Sequence, residues 1–214
     1  MQTLTLVELY TKLAQQIPEQ HWPAETPFEI ALGAILVQNT AWQNVPPAIA
    51  NLKQVTNLKP QKLLDLDRAT LMTLIRPSGF FKNKSLAIVN LLTWYQKYDF
   101  DLTKAKLRTS TQLRQELLDL HGIGAETADV ILLYVLDKPQ FIADSYARRL
   151  FLALGVTEAQ KYDTLKSFVE AKHLTLTLRQ WQAFHGYIDE FGKQFLRRNQ
   201  SFAASYLAGY RLKR

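Results

Sequence analysis

The 214-residue chain carries 26 Lys plus Arg against 19 Asp plus Glu, a formal net charge of +7, and 47% of its residues are hydrophobic. That balance is ordinary for a soluble globular protein, and it suits a polyanionic partner without identifying one. The chain contains no cysteine, which excludes a disulfide framework, a thiolate zinc site and a cysteine-ligated iron–sulfur cluster.

The opening MQTLTLVELYTKL has no basic stretch followed by a long apolar one, and no apolar run approaches the ~20 residues that span a bilayer. A soluble, cytoplasmic protein with no membrane partner is expected. Helical periodicity then recurs along the chain while strand alternation is scarce, which predicts an all-α fold. Thr26-Pro27-Phe28-Glu29 offers an N-cap, a proline at the first helical position and a capping-box glutamate. IALGAILVQ follows and is apolar nearly all round, so it is read as a central buried helix. One helix is predicted over Lys62–Ile75, ended by Pro77-Ser78-Gly79, and another over Lys84–Tyr95 with Leu86, Ile88, Leu91, Leu92 and Trp94 on a broad apolar face.

Thr109-x-x-Gln112 is a capping-box signature opening QLRQELLDL, which stops at His121-Gly122-Ile123-Gly124. A second helix runs from Ala125 to Val135, with Leu117, Leu120, Ile123, Ala128 and Ile131 packing the pair. Glycines in such a turn permit positive φ and close backbone approach to another molecule. Amides there and at the next helix N-terminus are suited to a phosphate. A bare Gly-x-Gly is more often an ordinary helix–helix turn with a glycine C-cap. Beyond Pro139, helices are predicted over Ser145–Leu154, Gln160–Ala171 and Leu178–Leu196, followed by a basic tail, YRLKR.

LHGIGAETADVILLYV followed by FIADSYARRL resembles the helix-hairpin-helix and catalytic-aspartate signature of the endonuclease III superfamily of DNA glycosylases. PFEIALGAILVQNT and RPSGFFKNKSLAI extend the likeness over most of the chain. HWPAETPFE, LVQNTAW, RPSGFF and FHGYIDEFGKQ are similar to the branch that lacks an iron–sulfur cluster and acts on alkylated purines, the 3-methyladenine DNA glycosylases. The resemblance implies two helical domains with a cleft between them. Residues 26–136 would form a six-helix barrel-like domain ending in the hairpin, and 1–25 with 137–214 the second. It further implies a monomer whose partner is double-stranded DNA containing damaged bases.

The same resemblance makes Asp144 the catalytic aspartate, which activates water or stabilises the oxocarbenium-like sugar; from its context alone it could equally N-cap the next helix. Members that also cleave the strand carry a lysine nucleophile where this chain has Glu126, and a carboxylate cannot form an imine. A monofunctional glycosylase without AP lyase activity is therefore expected. A methylated base is cationic and stacks between electron-rich rings; Trp22 and Trp42 are the candidate walls, with core packing the other reading of each. His185 and Lys193 would line the base pocket, while Tyr187 stands where other members of the branch can have lysine.

Gln38 matches the glutamine inserted beside the flipped nucleotide, and Phe80 the apolar wedge; a helix C-cap and a core aromatic are the respective alternatives. Arg76, Lys82 and Lys84 are candidate phosphate contacts, and Gly122, Ile123, Gly124 and Thr127 the hairpin's DNA contacts. No metal or other cofactor is expected, apart from a monovalent cation that hairpin carbonyls could hold. Two other classes stay open. One is an endonuclease III-like glycosylase and AP lyase for oxidised or mismatched bases, disfavoured by Glu126 and the missing cysteines. The other is a non-catalytic hairpin module that binds DNA.

Overall fold

The computed structural model describes residues 2–213. Its fold is all-α apart from two three-residue strands. The chain divides into two compact units, one of Met1–Trp22 with Pro139–Arg214 and the other of Pro23–Lys138.

The first unit begins with β1 (Gln2–Leu4) and α1 (Leu6–Gln16). Thr5 caps α1 by accepting from the Glu8 amide, and Glu8 in return accepts from the Thr5 amide at 2.7 Å, so two otherwise orphaned donors are satisfied reciprocally. Leu6, Leu9 and Leu13 form the buried face of α1.

The second unit opens with α2 (Pro27–Leu36), where Thr26 accepts from the Glu29 amide and Pro27 supplies a preset φ. The Glu29 carboxylate takes the Glu25 N–H at 3.0 Å rather than that of Thr26. Ala31 to Leu36 are all buried, as expected of a central helix. α3 (Val45–Thr56) carries two prolines in its first turn, where no intrahelical donor is required. The single helix predicted over 62–75 is a pair, α4 (Pro60–Leu64) and α5 (Arg68–Leu74). Asp67 breaks it: its carboxylate accepts from the Thr70 amide at 3.0 Å and hydroxyl at 2.6 Å, and this capping geometry starts a new helix.

α6 (Phe81–Gln96), α7 (Leu102–Lys106), α8 (Ser110–Leu118) and α9 (Ala125–Tyr134) complete this unit. Leu32, Ile35 and Leu36 of α2 share one core with Ile88 and Leu92 of α6, Leu113 and Leu117 of α8, and Ala128, Ile131 and Leu132 of α9. Removing one such leucine side chain to alanine costs ~2–5 kcal/mol. α9 buries every residue from Thr127 to Leu133, including the Asp129 carboxylate, which Arg114 of α8 meets with two nitrogens at 2.9 and 3.3 Å. A buried carboxylate is tolerable only when paired in this way.

The chain returns to the first unit through α10 (Ser145–Ala153), α11 (Tyr162–Glu170), α12 (Leu178–Phe195) and β2 (Tyr210–Leu212). Phe141, Phe151, Trp181 and Phe184 pack edge-on or tilted, with ring centroids 5.6 to 6.3 Å apart. α10 and α12 approach closely because Gly192 lacks a side chain: a Cβ there would lie 2.2 Å from Cγ of Tyr146. β1 and β2, absent from the sequence reading, pair in parallel with Gln2 opposite Tyr210 and Leu4 opposite Leu212. Among the described residues no helix is long and apolar enough to cross a membrane.

Candidate functional site

Asp144 sits immediately before α10 and caps it, Oδ1 accepting from the Ala147 amide at 2.7 Å. The other oxygen, Oδ2, lies 3.8 Å from Nε2 of His185 on α12, and both side chains are 14% exposed. The two readings of Asp144 are thus compatible. One oxygen fixes the carboxylate on the helix N-terminus, where the dipole favours negative charge, and the second faces the His185 imidazole. The cap orients the group, and the Gly192–Tyr146 contact sets the position of the helix it caps.

Two turns of α12 beyond His185, Lys193 lies 2.6 Å from Asp189 and 3.7 Å from Glu190. Burial disfavours its charged form, but the two carboxylates outweigh this and its pKa is raised. Lys193 is therefore held as an ammonium, a poor nucleophile. Tyr187 is buried against Tyr10, ring centroids 5.9 Å apart, and desolvation followed by the charge of Glu19 raises its pKa. Trp22 belongs to this unit and is half-buried, whereas Trp42 belongs to the other and is 37% exposed at the start of a 3₁₀ turn.

In the second unit, the hairpin turn between α8 and α9 requires glycine at only one of its two positions. Gly122 has φ +93°, and a Cβ on it would lie 2.6 Å from Cβ of Ala87 on α6. Gly124 has φ −88°, which any residue adopts, and a Cβ on it would meet nothing within 4 Å. The first-turn amides of α9 have no acceptor within the helix, and the space beside Gly124 is open. Glu126 is exposed on that first turn. The Ile123 side chain is buried in the core and its amide donates to Leu120 O at 3.0 Å, so it serves the turn itself.

Several expected contacts require correction. Gln38 does not present its amide outward: Nε2 donates to Gly122 O at 3.1 Å and to the Thr127 hydroxyl at 2.9 Å, spending both N–H bonds on the hairpin. The Thr127 side chain is accordingly buried rather than turned to a partner. Lys84 is not a surface cation. It is 2% exposed, and its Nζ donates to Leu36 O at 2.7 Å and Ser78 O at 2.6 Å, so it cannot reach a phosphate. Burial lowers its pKa to about 8. Lys82 and Arg76 are exposed, and the Arg76 guanidinium lies over the Phe81 ring at 5.2 Å.

Phe80 is not a core aromatic. It is 62% exposed with its backbone in the left-handed region, φ +46° and ψ +28°. A bulky residue there is a conformational outlier, and such outliers cluster at functional positions. Asn39, next to Gln38, is also exposed at positive φ (52°) and was not singled out from sequence. Its asparagine in VQNTAW, a residue type that tolerates the left-handed region, is the signal that could have found it.

One unit carries a hairpin with an open helix N-terminus and an exposed aromatic on a strained turn, the other a helix-capping carboxylate, and the hairpin defines a helix-hairpin-helix protein. The match to the family model "HhH-GPD superfamily base excision DNA repair protein" spans residues 32–172, and the chain belongs to that family. It is 41% identical to a Methanocaldococcus jannaschii protein provisionally named a DNA repair glycosylase, over 90% of this chain and 89% of that one. It is 28% identical to Thermotoga maritima endonuclease III over 87% and 82%. The Helicobacter pylori 3-methyladenine DNA glycosylase, solved with 1,N6-ethenoadenine, superposes with a TM-score of 0.74 at 31% identity, covering 89% of this chain and 98% of that one. A trapped endonuclease III–DNA intermediate superposes with a TM-score of 0.75 at 21% identity over 95% and 93%, a likeness of fold alone.

Proposed function

We propose that the protein is a monofunctional DNA glycosylase that hydrolyses the N-glycosidic bond of an alkylated purine such as 3-methyladenine and leaves the abasic site uncut. Glu126 carries the reading of mechanism: the residue two past Gly124, where a lyase needs an amine, is a carboxylate. Lys193, the other candidate amine, is held as an ammonium by Asp189 and Glu190. What is left for the chemistry is Oδ2 of Asp144, suited to orient water or to place negative charge against a sugar losing its base.

An alkylated purine cation is already a good leaving group, so one carboxylate suffices without a second acid. The 31% identity to the 3-methyladenine enzyme over most of both chains supports this substrate class, as does the absence of cysteine, which leaves no ligands for an iron–sulfur cluster. Phe80, exposed on its strained turn, is suited to wedge between bases, and Asn39, exposed at positive φ on the turn after α2, is suited to meet DNA where Gln38 is spent on the hairpin. Gly124 supports a DNA-facing hairpin, because neither its φ nor its packing explains a missing side chain there.

The test is incubation with methylated duplex DNA and chromatography of the released bases. Release of 3-methyladenine or 7-methylguanine is expected, with no borohydride-trapped adduct. A product list containing neither base ends the substrate assignment, and a trapped adduct ends the monofunctional one.

A further inference from the structure

Lys84 is a buried cation that the proposed chemistry does not use. Its ammonium carries three donors, and two are satisfied by carbonyls from different segments: Leu36, the last residue of α2, and Ser78, in the turn before Phe80. The Leu36 carbonyl is one of the last of α2 and has no acceptor role within that helix, and it lies at the negative end of the dipole, where a cation is favoured. Ser78 is itself buried, its hydroxyl donating to Ile75 O at 2.8 Å. The Phe80 ring lies over the same ammonium, with Nζ 5.9 Å from the ring centroid. The segment leaving α2 runs directly into Val37, Gln38 and Asn39.

We propose that Lys84 is a positioning residue that clips the turn carrying Asn39 to the turn carrying Phe80, so that both meet DNA in one fixed geometry. This rests on the DNA-binding role proposed above. A lysine suits the task because a compact ammonium can serve two carbonyls that converge from different directions. Burial costs such a group much of its hydration, and only good acceptors offset that loss. Although burial lowers its pKa to about 8, the group is still an ammonium at neutral pH. The left-handed backbone of Phe80 requires a surrounding structure that over-determines it, and the Lys84–Ser78 bond supplies one such constraint two residues away.

The experiment measures the affinity of the full chain for a duplex containing a tetrahydrofuran abasic analogue and for the undamaged duplex, well below the unfolding temperature. Lys84→Met keeps the stem and removes the donors; it is expected to lower the preference for the abasic duplex about tenfold, since unstacking is assisted only by a correctly placed wedge. Trp94→Phe removes the 2.8 Å bond to Glu116 elsewhere on α6, about 15 Å along the axis. It is expected to cost stability and leave the preference within about twofold, which separates positioning from general destabilisation. Adding Phe80→Ala to Lys84→Met should lower the preference no further, because the ring is already misplaced.

A wild-type preference in Lys84→Met, or full additivity with Phe80→Ala, would overturn the proposal while leaving the proposed function intact. A wild-type protein that does not discriminate between the duplexes would overturn both. Should Lys84→Met fail to fold, Lys84→Leu, which also removes every donor, is read by the same criteria.

Discussion

The two units place their functional groups by opposite means. In the unit of Pro23–Lys138, polar side chains are spent inward to hold turns: Gln38 on the hairpin, Lys84 on two carbonyls, Arg114 on the Asp129 carboxylate. Outward it presents the Phe80 ring, Asn39, Arg76 and Lys82, and an unobstructed stretch of backbone at Gly124. In the unit that carries Asp144, apolar packing and a missing side chain set the scaffold, through the aromatic cluster of Phe141, Phe151, Trp181 and Phe184 and the Gly192–Tyr146 contact. The polar group there, Asp144, caps α10 with one oxygen and faces His185 with the other. Under the proposed function, polar ties would suit contact with a flexible polyanion because they fix turn geometry, and close helix packing would suit a carboxylate held still during bond cleavage.

The contrast can be broken most directly at Asp144. Asp144→Asn keeps a side-chain acceptor for the Ala147 amide, and asparagine caps helices about as well as aspartate. Base release should fall ~10²–10⁴-fold, the usual worth of a positioned acid–base group, while the melting temperature stays close to wild type. Parallel losses of activity and stability would mean that the carboxylate is only a cap.

Packing is tested next. Gly192→Ala places a Cβ against the Tyr146 ring, and overpacking of this kind costs ~1–3 kcal/mol. Tyr146 lies two residues past Asp144, so base release should also slow, up to ~10²-fold for a displacement of about 1 Å. Tyr146→Gly in the same chain, which removes the ring and the Cβ that the new side chain meets, should restore part of both in a thermal melt and a rate assay; no relief would assign the clash elsewhere. The smallest effect is expected at Gln38→Ala, which loses one bond to a carbonyl and one to a hydroxyl, a cost of ~1–2 kcal/mol. Hydrogen exchange should quicken at the hairpin, and affinity for abasic-site DNA should weaken with no change in its salt dependence, because no cation is lost. A shallower salt slope would contradict a role confined to holding the turn.

Local signals were legible in sequence and tertiary ones were not. Thr109-x-x-Gln112 opens α8 as read, because a capping box needs only four residues. The same signature, Thr5-x-x-Glu8, opens α1, where no helix is predicted because so short an amphipathic stretch carries little periodicity. The break at Asp67 was missed because the apolar periodicity runs on across it, and only the carboxylate's turn toward Thr70 decides the boundary. Lys84 and Lys82 look alike as letters two residues apart on a helix, yet one is buried and the other exposed, since the face of α6 that meets the core is fixed by packing. The motif marks Gln38 by position alone, and which way its amide turns depends on a hairpin more than eighty residues later. The β1–β2 pair joins segments too short for any alternating pattern and almost the whole chain apart.

The two hairpin glycines separate foldability from use in a way a mutant library could read. Alanine at 122 is opposed both by a positive φ and by Ala87, so a selection for stable, soluble protein alone would discard it. Alanine at 124 meets neither obstacle and would survive that selection at little cost. A second selection, for resistance of cells to alkylating agents, would reject it if a nucleic-acid backbone fills the open space. Residue 124 would then be a position whose constraint lies wholly outside the molecule.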